Sequence, residues 1–256
     1  MLYQRFITAL AVLLVVTSRS ATMSAQQDAQ TYVVSDLQWT QSSDTVLAYV
    51  SDGIHILNQS GSNTIIQLDE GIPPWDLALD RDGSSLLAAQ SGALPTLWDA
   101  TTGQTISILD GGTGTGDSRV AWSPDGRLFV TAGINGLAPS VHVWDRQTLS
   151  LRFSVSNATG VTPVSWSHDG RLAVTRDIDM NIYDGDDGQL LQTISIPGLT
   201  WMTEWSHSGQ YIAGVYVSYT EQGASSLIVW DLSSSATAVR FDDLNDLFVD
   251  LDWSPD

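Results

Sequence analysis

Between Val120 and Phe153 apolar and polar positions alternate in four short bursts. In Val120-Ala-Trp122 the large apolar residues stand two apart, the period of a short strand with one buried face. Ser123-Pro-Asp-Gly126 then reads as a turn in which Gly126 takes a positive φ. Leu128 and Val130 resume a second strand, Val141, Val143 and Trp144 make a third, and Leu149, Leu151 and Phe153 a fourth. Four strands joined by turns make one small sheet, which cannot bury both of its faces alone. Copies must stack on either side of it.

The chain supplies them. Trp39, Leu79, Trp122, Trp166, Trp205 and Trp253 recur as first-strand anchors, at spacings of 40, 43, 44, 39 and 48. The turns that follow are Asp80-Arg-Asp-Gly83, Ser123-Pro-Asp-Gly126, Ser167-His-Asp-Gly170, Ser206-His-Ser-Gly209 and Ser254-Pro-Asp256. A second ladder marks the third strands: Leu57-Asn58, Trp98-Asp99, Trp144-Asp145, Tyr183-Asp184 and Trp230-Asp231. Two ladders that agree in period establish a repeat.

These residues resemble the WD-repeat β-propeller family over about residues 31 to 256. Ser-Pro-Asp-Gly turns also occur in propellers similar to the periplasmic translocation protein TolB, but the Trp-Asp endings at 98, 144 and 230 and the turn Thr101-Thr-Gly103 favour the WD-repeat kind. The resemblance implies an all-β fold, a β-propeller of four-stranded blades, with five complete blades and the first strand of a sixth. Such a ring is incomplete. The expected parent has six to eight blades, seven first among them; a five-bladed ring with a spare strand is the alternative. The family usually places a Gly-His pair before the first strand, whose His joins a buried relay to a turn Asp. Gly71, Gly114, Gly160 and Gly198 stand near that position, none is followed by His, and Asp177 alone sits where the turn Asp would. The relay is expected to be missing or rebuilt, with Trp and aliphatic packing holding the blades together.

Residues 1–25 form a separate piece. Arg5 precedes a nearly unbroken apolar run from Phe6 to Val16, and small residues surround Ser18, Ser20, Ala21 and Ala25. That layout is a secretory signal peptide. Eleven helical residues span roughly 17 Å, short of the roughly 30 Å hydrocarbon core, which favours cleavage over a permanent N-terminal membrane anchor. Residues 26–30 read as a polar tail before the propeller. The expected location is secreted or extracytoplasmic, with no other membrane insertion.

Composition then narrows the chemistry. The 256 residues carry 10 basic side chains, all Arg, against 29 acidic ones, a net charge of −19. No lysine exists for a Schiff base or a phosphate-cradling loop, and so acidic a surface repels nucleic acid. Cysteine is absent, which removes disulfides, thiolate metal sites and thiol nucleophiles.

Each remaining chemical motif has a plainer structural reading. His168 and His207 occupy the same turn position in successive units, and His55 and His142 precede third-strand ends. Asp177-x-Asp179-x-Asn181 with Asp184-Gly-Asp-Asp-Gly188 is rich in oxygen ligands, yet Ile182 stands where an EF-hand loop needs Gly. Gly111-Gly-Thr-Gly-Thr-Gly116 has neither a following helix nor a lysine, and reads as a connection between blades. No Gly-x-Ser-x-Gly elbow occurs. Asn58 and Asn157 begin glycosylation acceptor triplets. No cofactor, metal site or catalytic residue is assigned.

Binding is what remains. Trp75, Arg119, Trp201 and Met202 stand three or four residues before anchors, in the loops expected to enter one rim, and Arg176 lies beside a second-to-third-strand turn near them. Trp, Arg and Met are enriched at interface centres, although inter-blade packing also explains the tryptophans. The expectation is a non-enzymatic scaffold for protein partners. The alternative is a propeller enzyme or a small-ligand or metal sensor using the central channel, where Glu204 and Asp252 are the acids placed one residue before anchors. A non-functional fragment is a third reading.

Overall fold

The computed structural model describes residues 36–254 apart from 40–44, 51–52, 59–62, 68–73, 91–92, 110–118, 136–137, 157–162, 177, 218–224, 245–250 and 252. The signal-peptide region, the tail, Asp177, Gly71, Gly114, Gly160, Asn157 and the 111–116 run lie outside the described residues, while Gly198 lies within them.

Within them the chain forms twenty strands and no helix. Blade one holds β1 (Asp36–Trp39), β2 (Thr45–Val50), β3 (Gly53–Asn58) and β4 (Asn63–Ile66). Blade two holds β5 (Pro74–Leu79), β6 (Ser85–Gln90), β7 (Thr96–Asp99) and β8 (Thr105–Ile108). Blade three holds β9 (Arg119–Trp122), β10 (Leu128–Asn135), β11 (Ala138–Asp145) and β12 (Leu151–Ser156). Blade four holds β13 (Val164–Trp166), β14 (Arg171–Arg176), β15 (Asp179–Asp184) and β16 (Leu190–Ser195). Blade five holds β17 (Leu199–Trp205), β18 (Tyr211–Val217), β19 (Ser225–Asp231) and β20 (Ala236–Leu244). Each is a four-stranded antiparallel meander with strands paired in chain order. The structure is thus five complete four-stranded sheets plus the partial sixth unit around Trp253, as a β-propeller of four-stranded blades requires.

The first strands β5, β9, β13 and β17 touch in succession, which places them innermost. Exposed apolar side chains such as Ile108, Leu190 and Phe241 fall on fourth strands, the outermost. Stacking divides the apolar core into seams. Leu47, Ile54 and Ile66 of blade one meet Leu77 and Leu86 of blade two; Leu87 and Leu97 of blade two meet Phe129 and Trp144 of blade three. Val130 and Val143 meet Leu172 and Val174 between blades three and four, and Met180 and Ile182 meet Ile212 and Ile228 between four and five. Each blade therefore needs its neighbours to be stable.

Two turn types recur in blades two to five. After the first strand, the Ser123 hydroxyl accepts the Leu128 N–H at 2.9 Å, Ser167 accepts Arg171 at 2.8 Å and Ser206 accepts Tyr211 at 3.0 Å. Gly126, Gly170 and Gly209 complete those turns at φ of 68°, 86° and 68°. After the third strand, the aspartate ending it caps the turn: Asp99 accepts the Thr101 and Thr102 N–H groups at 2.8 Å, and Asp145 those of Gln147 and Thr148 at 3.0 and 2.9 Å. The fourth residue after each of these aspartates is left-handed: Gly103 at 72°, Leu149 at 54°, Gly188 at 76° and Ser235 at 55°.

Leu149 corrects the sequence reading. It was expected in the fourth strand, but it belongs to the turn; its N–H reaches the Asp145 carbonyl at 2.9 Å and β12 begins at Leu151. Its apolar character serves packing against the cluster of Phe129 and Trp144 rather than strand alternation.

Candidate functional site

The five rim candidates gather at one end of the sheets. The start of a first strand and the end of the second are neighbours in antiparallel pairing. Arg119 opens β9 opposite Ala132, Met202 lies opposite Val215, and Arg176 ends β14 opposite Asp179. Trp75, Arg119, Trp201 and Met202 are within strands, not in the entering loops. Trp75 and Trp201 each occupy a register shift, between Pro74 and Asp76 and between Thr200 and Met202. A bulge carries one extra residue without a cross-strand partner, which breaks the alternation that would have placed these positions from sequence.

The bulge in β5 is followed by an inter-blade tie. The Asp76 carboxylate accepts the Val120 N–H of blade three at 3.0 Å while capping Leu77 at 3.0 Å. At the same end, three hydroxyls face the seam between blades four and five. Thr175 lies opposite Met180, a member of that seam's core, and Thr200 lies opposite Tyr216, another member. Opposed residues of an antiparallel pair share a face. Thr175, Thr200 and Tyr216 are 3%, 4% and 1% exposed, and none of their hydroxyls has a hydrogen-bond partner, nor does Nε of half-buried Arg176. Buried polar groups are paired in the great majority of cases, so these hydroxyls are an exception within the seam.

The opposite end of the seams is tied by tryptophan. The indole N–H of Trp122 donates to the Ala78 carbonyl at 2.9 Å, Trp205 to Ser165 at 3.1 Å and Trp253 to Glu204 at 3.0 Å. Each anchor thus reaches the residue before the preceding blade's anchor. Within blade three, Trp144 also donates to Thr131 at 3.0 Å, while the equivalent second-strand positions Ala88, Val174 and Gly214 carry no hydroxyl.

Guanidinium groups reinforce the ties. Arg146 sits 5.3 Å over the Trp122 ring and pairs at 2.6 Å with Asp80, whose side chain is fully buried. Asp80 also accepts the N–H groups of Ser84 and Ser85 at 2.8 and 3.0 Å. Burial pushes its carboxyl above the usual range, against the lowering effect of the Ser85 hydrogen bond and of Arg146. Arg171 lies 4.8 Å over the Trp205 ring and donates to the Gly209 carbonyl at 2.6 Å. Neither Asp80 nor Arg146 was singled out from sequence. The signal was an Asp where four later turns have Ser, and an Arg directly after a Trp-Asp pair.

Between blades three and four a pocket of about 430 Å³ opens beside these turns, lined by Ser123–Asp125, Trp166, the Asp169–Arg171 turn and Asp184–Asp186. Arg127 spans from Asp125 to Asp186, which it meets at 3.0 Å. His168 and His207 lie near each other, ring centroids 5.7 Å apart, as their shared turn position implied. Asp179 and Asn181 are taken by strand hydroxyls: Ser195 donates to the first at 3.3 Å and Thr193 to the second at 2.7 Å. Among the described residues no group of three or more His, Asp or Glu could hold a metal ion.

Known proteins give a consistent picture. The family model for eukaryotic translation initiation factor eIF2A matches residues 17–178. Among solved structures, a chain from the crystal structure of a mitotic checkpoint complex superposes with a TM-score of 0.66 at 17% identity. The match covers 84% of this chain and 66% of that one, and shows the fold. No curated protein matches.

Proposed function

Since the chain belongs to the family described as eukaryotic translation initiation factor eIF2A, a WD40-like propeller family, we propose that it is a non-enzymatic scaffold that binds protein partners outside the cytoplasm. The propeller fold supports the interaction role. The observation that carries it is the arrangement of Arg119, Arg176 and Met202, residue types enriched at interface centres, at the same end of blades three, four and five. Trp75 stands at the same end of blade two, and Trp201 at the bulge of blade five.

A net charge of −19 without lysine supports a protein partner over a nucleic acid, since phosphate neutralisation needs clustered cations. The extracytoplasmic location rests on the apolar run Phe6–Val16 with its small-residue flank.

The test is co-purification of the full chain from the extracytoplasmic fraction of its source, with cross-linking to identify what is bound. The complex is expected to weaken at least about tenfold in a Trp75→Ala, Trp201→Ala double variant, the size of one hot-spot loss. It should be unchanged by Ile108→Ser on the outer strand β8. Finding no protein partner, or one indifferent to the rim, would overturn the reading.

A further inference from the structure

Three of the anchor tryptophans that pack against a preceding blade are finished in two ways. Their indole N–H is bonded to a backbone carbonyl, and their ring is covered by a second group: Arg146 over Trp122, Arg171 over Trp205, and Tyr211 beside Trp253 at 6.4 Å. Trp166 has neither. Its Nε1 has no hydrogen-bond partner, and among the described residues no cation or aromatic ring lies over its indole. It lines the 430 Å³ pocket between blades three and four.

The absence of a side chain at Gly185 shapes this site. A Cβ there would collide with the Trp166 ring and the Gly170 carbonyl, so glycine lets the turn after β15 close against one edge of the indole. The pocket lining carries four carboxylates, Asp125, Asp169, Asp184 and Asp186. Arg127 and Arg171 offset part of that charge, and both are already engaged, the first by Asp125 and Asp186, the second by Asp169 at 2.9 Å. Arg81, from blade two, is exposed and also lines the pocket.

We infer that this pocket receives an arginine side chain from a partner protein, its guanidinium lying on the Trp166 ring as Arg146 and Arg171 lie on Trp122 and Trp205. The inference rests on the scaffold reading and names the partner's chemistry. Arginine suits the site on three counts. A planar guanidinium stacks on indole better than an ammonium does. The lining carboxylates match its donors. The net charge of −19 draws basic segments toward the chain from a distance. A basic segment bound here would add to the bonds that Arg127 and Arg152 of blade three make to Asp186 of blade four, at a seam where the anchor tryptophan makes none.

The probe is a capped acetyl-Gly-Ser-Arg-Ser-Gly amide titrated into the full chain, followed by the indole N–H resonances, with the Trp166 signal assigned by its loss in Trp166→Phe. The expected result is a saturable shift of the Trp166 signal at millimolar peptide. Replacing arginine by citrulline, which keeps the shape and removes the charge, should weaken binding at least about tenfold. Arg81→Ala, an exposed change that removes a like charge, should tighten it a few-fold. No shift, an equal response to the citrulline peptide, or weaker binding by Arg81→Ala would overturn the inference. A partner complex lost in the rim variants but intact when Trp166 is replaced would sink this site and leave the scaffold reading standing.

Discussion

Asp80 stands where the four later turns place a serine, and the substitution changes what the turn does. A serine hydroxyl closes its own turn; the Asp80 carboxylate closes its turn and also reaches Arg146 of the next blade. Arg146 in turn donates to the Ser84 and Ser85 hydroxyls at 2.9 and 3.1 Å. Removing one partner of a buried pair is costly because the other charge is stranded. Arg146→Ala should therefore lower stability by about 3 kcal/mol at neutral pH, the low end of the range since Asp80 keeps its N–H donors. The sign of its pH dependence follows from the raised Asp80 carboxyl. A carboxyl that resists ionisation in the folded state costs stability while charged, and the cost is relieved as pH falls through its folded value. The deficit of Arg146→Ala should shrink in urea unfolding as pH is lowered from 7; a deficit that stays constant or grows would contradict this role. From sequence the turn at 80 read as a weakened copy. Its divergence was legible, and the partner was not, because Arg146 lies in another blade.

At the scale of the element, the turn after the third strand in blades two to five repeats one solution: an aspartate that accepts backbone N–H groups, then a left-handed residue four positions on. The Trp-Asp ladder revealed the aspartates, and Gly103 and Gly188 hinted at the left-handed position. Leu149 and Ser235 hid it, since a leucine next to Leu151 and Phe153 looks like strand alternation until its packing against Trp144 is seen. Strand bulges were equally hidden, because the shifts at Trp75 and Trp201 leave no compositional mark. The capping bonds have a measurable consequence. Asp99 and Asp145 are held below the usual carboxylate range by the N–H groups of Thr102 and Thr148, and Asp231 by the Ser233 hydroxyl. Asp125 and Asp169 are drawn down by Arg127 and Arg171 despite the upward push of burial. A lowered carboxyl contributes stability that is complete above its unfolded value, about 3.9, and is lost as pH falls through the folded one. Thermal unfolding should therefore hold its midpoint down to about pH 4 and fall steeply below. Asp145→Asn should make that acid limb shallower; an unchanged limb would remove the turn carboxylates as its cause.

For the whole molecule, the repeat made the blades legible while the contacts between blades were not. Periodicity reports which residues are equivalent, and says nothing of which neighbour each one touches. That the Trp122 and Trp205 indoles end on carbonyls of the preceding blade, and that Trp166 does not, required the stacked sheets to be seen. Long-range charge acts at this scale too. Self-repulsion from 29 acidic side chains against 10 arginines opposes the compact state, whereas an exposed pair such as Arg127–Asp186 contributes about 1 kcal/mol at most. Salt raised from low levels to several hundred millimolar should screen the repulsion more than it weakens the pairs. The melting temperature should rise; a fall would mean that the ion pairs between blades dominate.

Trp122, Trp205 and Trp253 each bond a carbonyl of the unit before, and the Trp166 indole makes no such bond. The most direct test is a comparison of Trp122→Phe, Trp205→Phe and Trp166→Phe by urea unfolding of the full chain. Phenylalanine keeps an aromatic ring and removes the N–H. The first two variants should each cost about 1 kcal/mol more than the third, the net value of a hydrogen bond. Equal losses at all three positions would contradict an unbonded Trp166 indole.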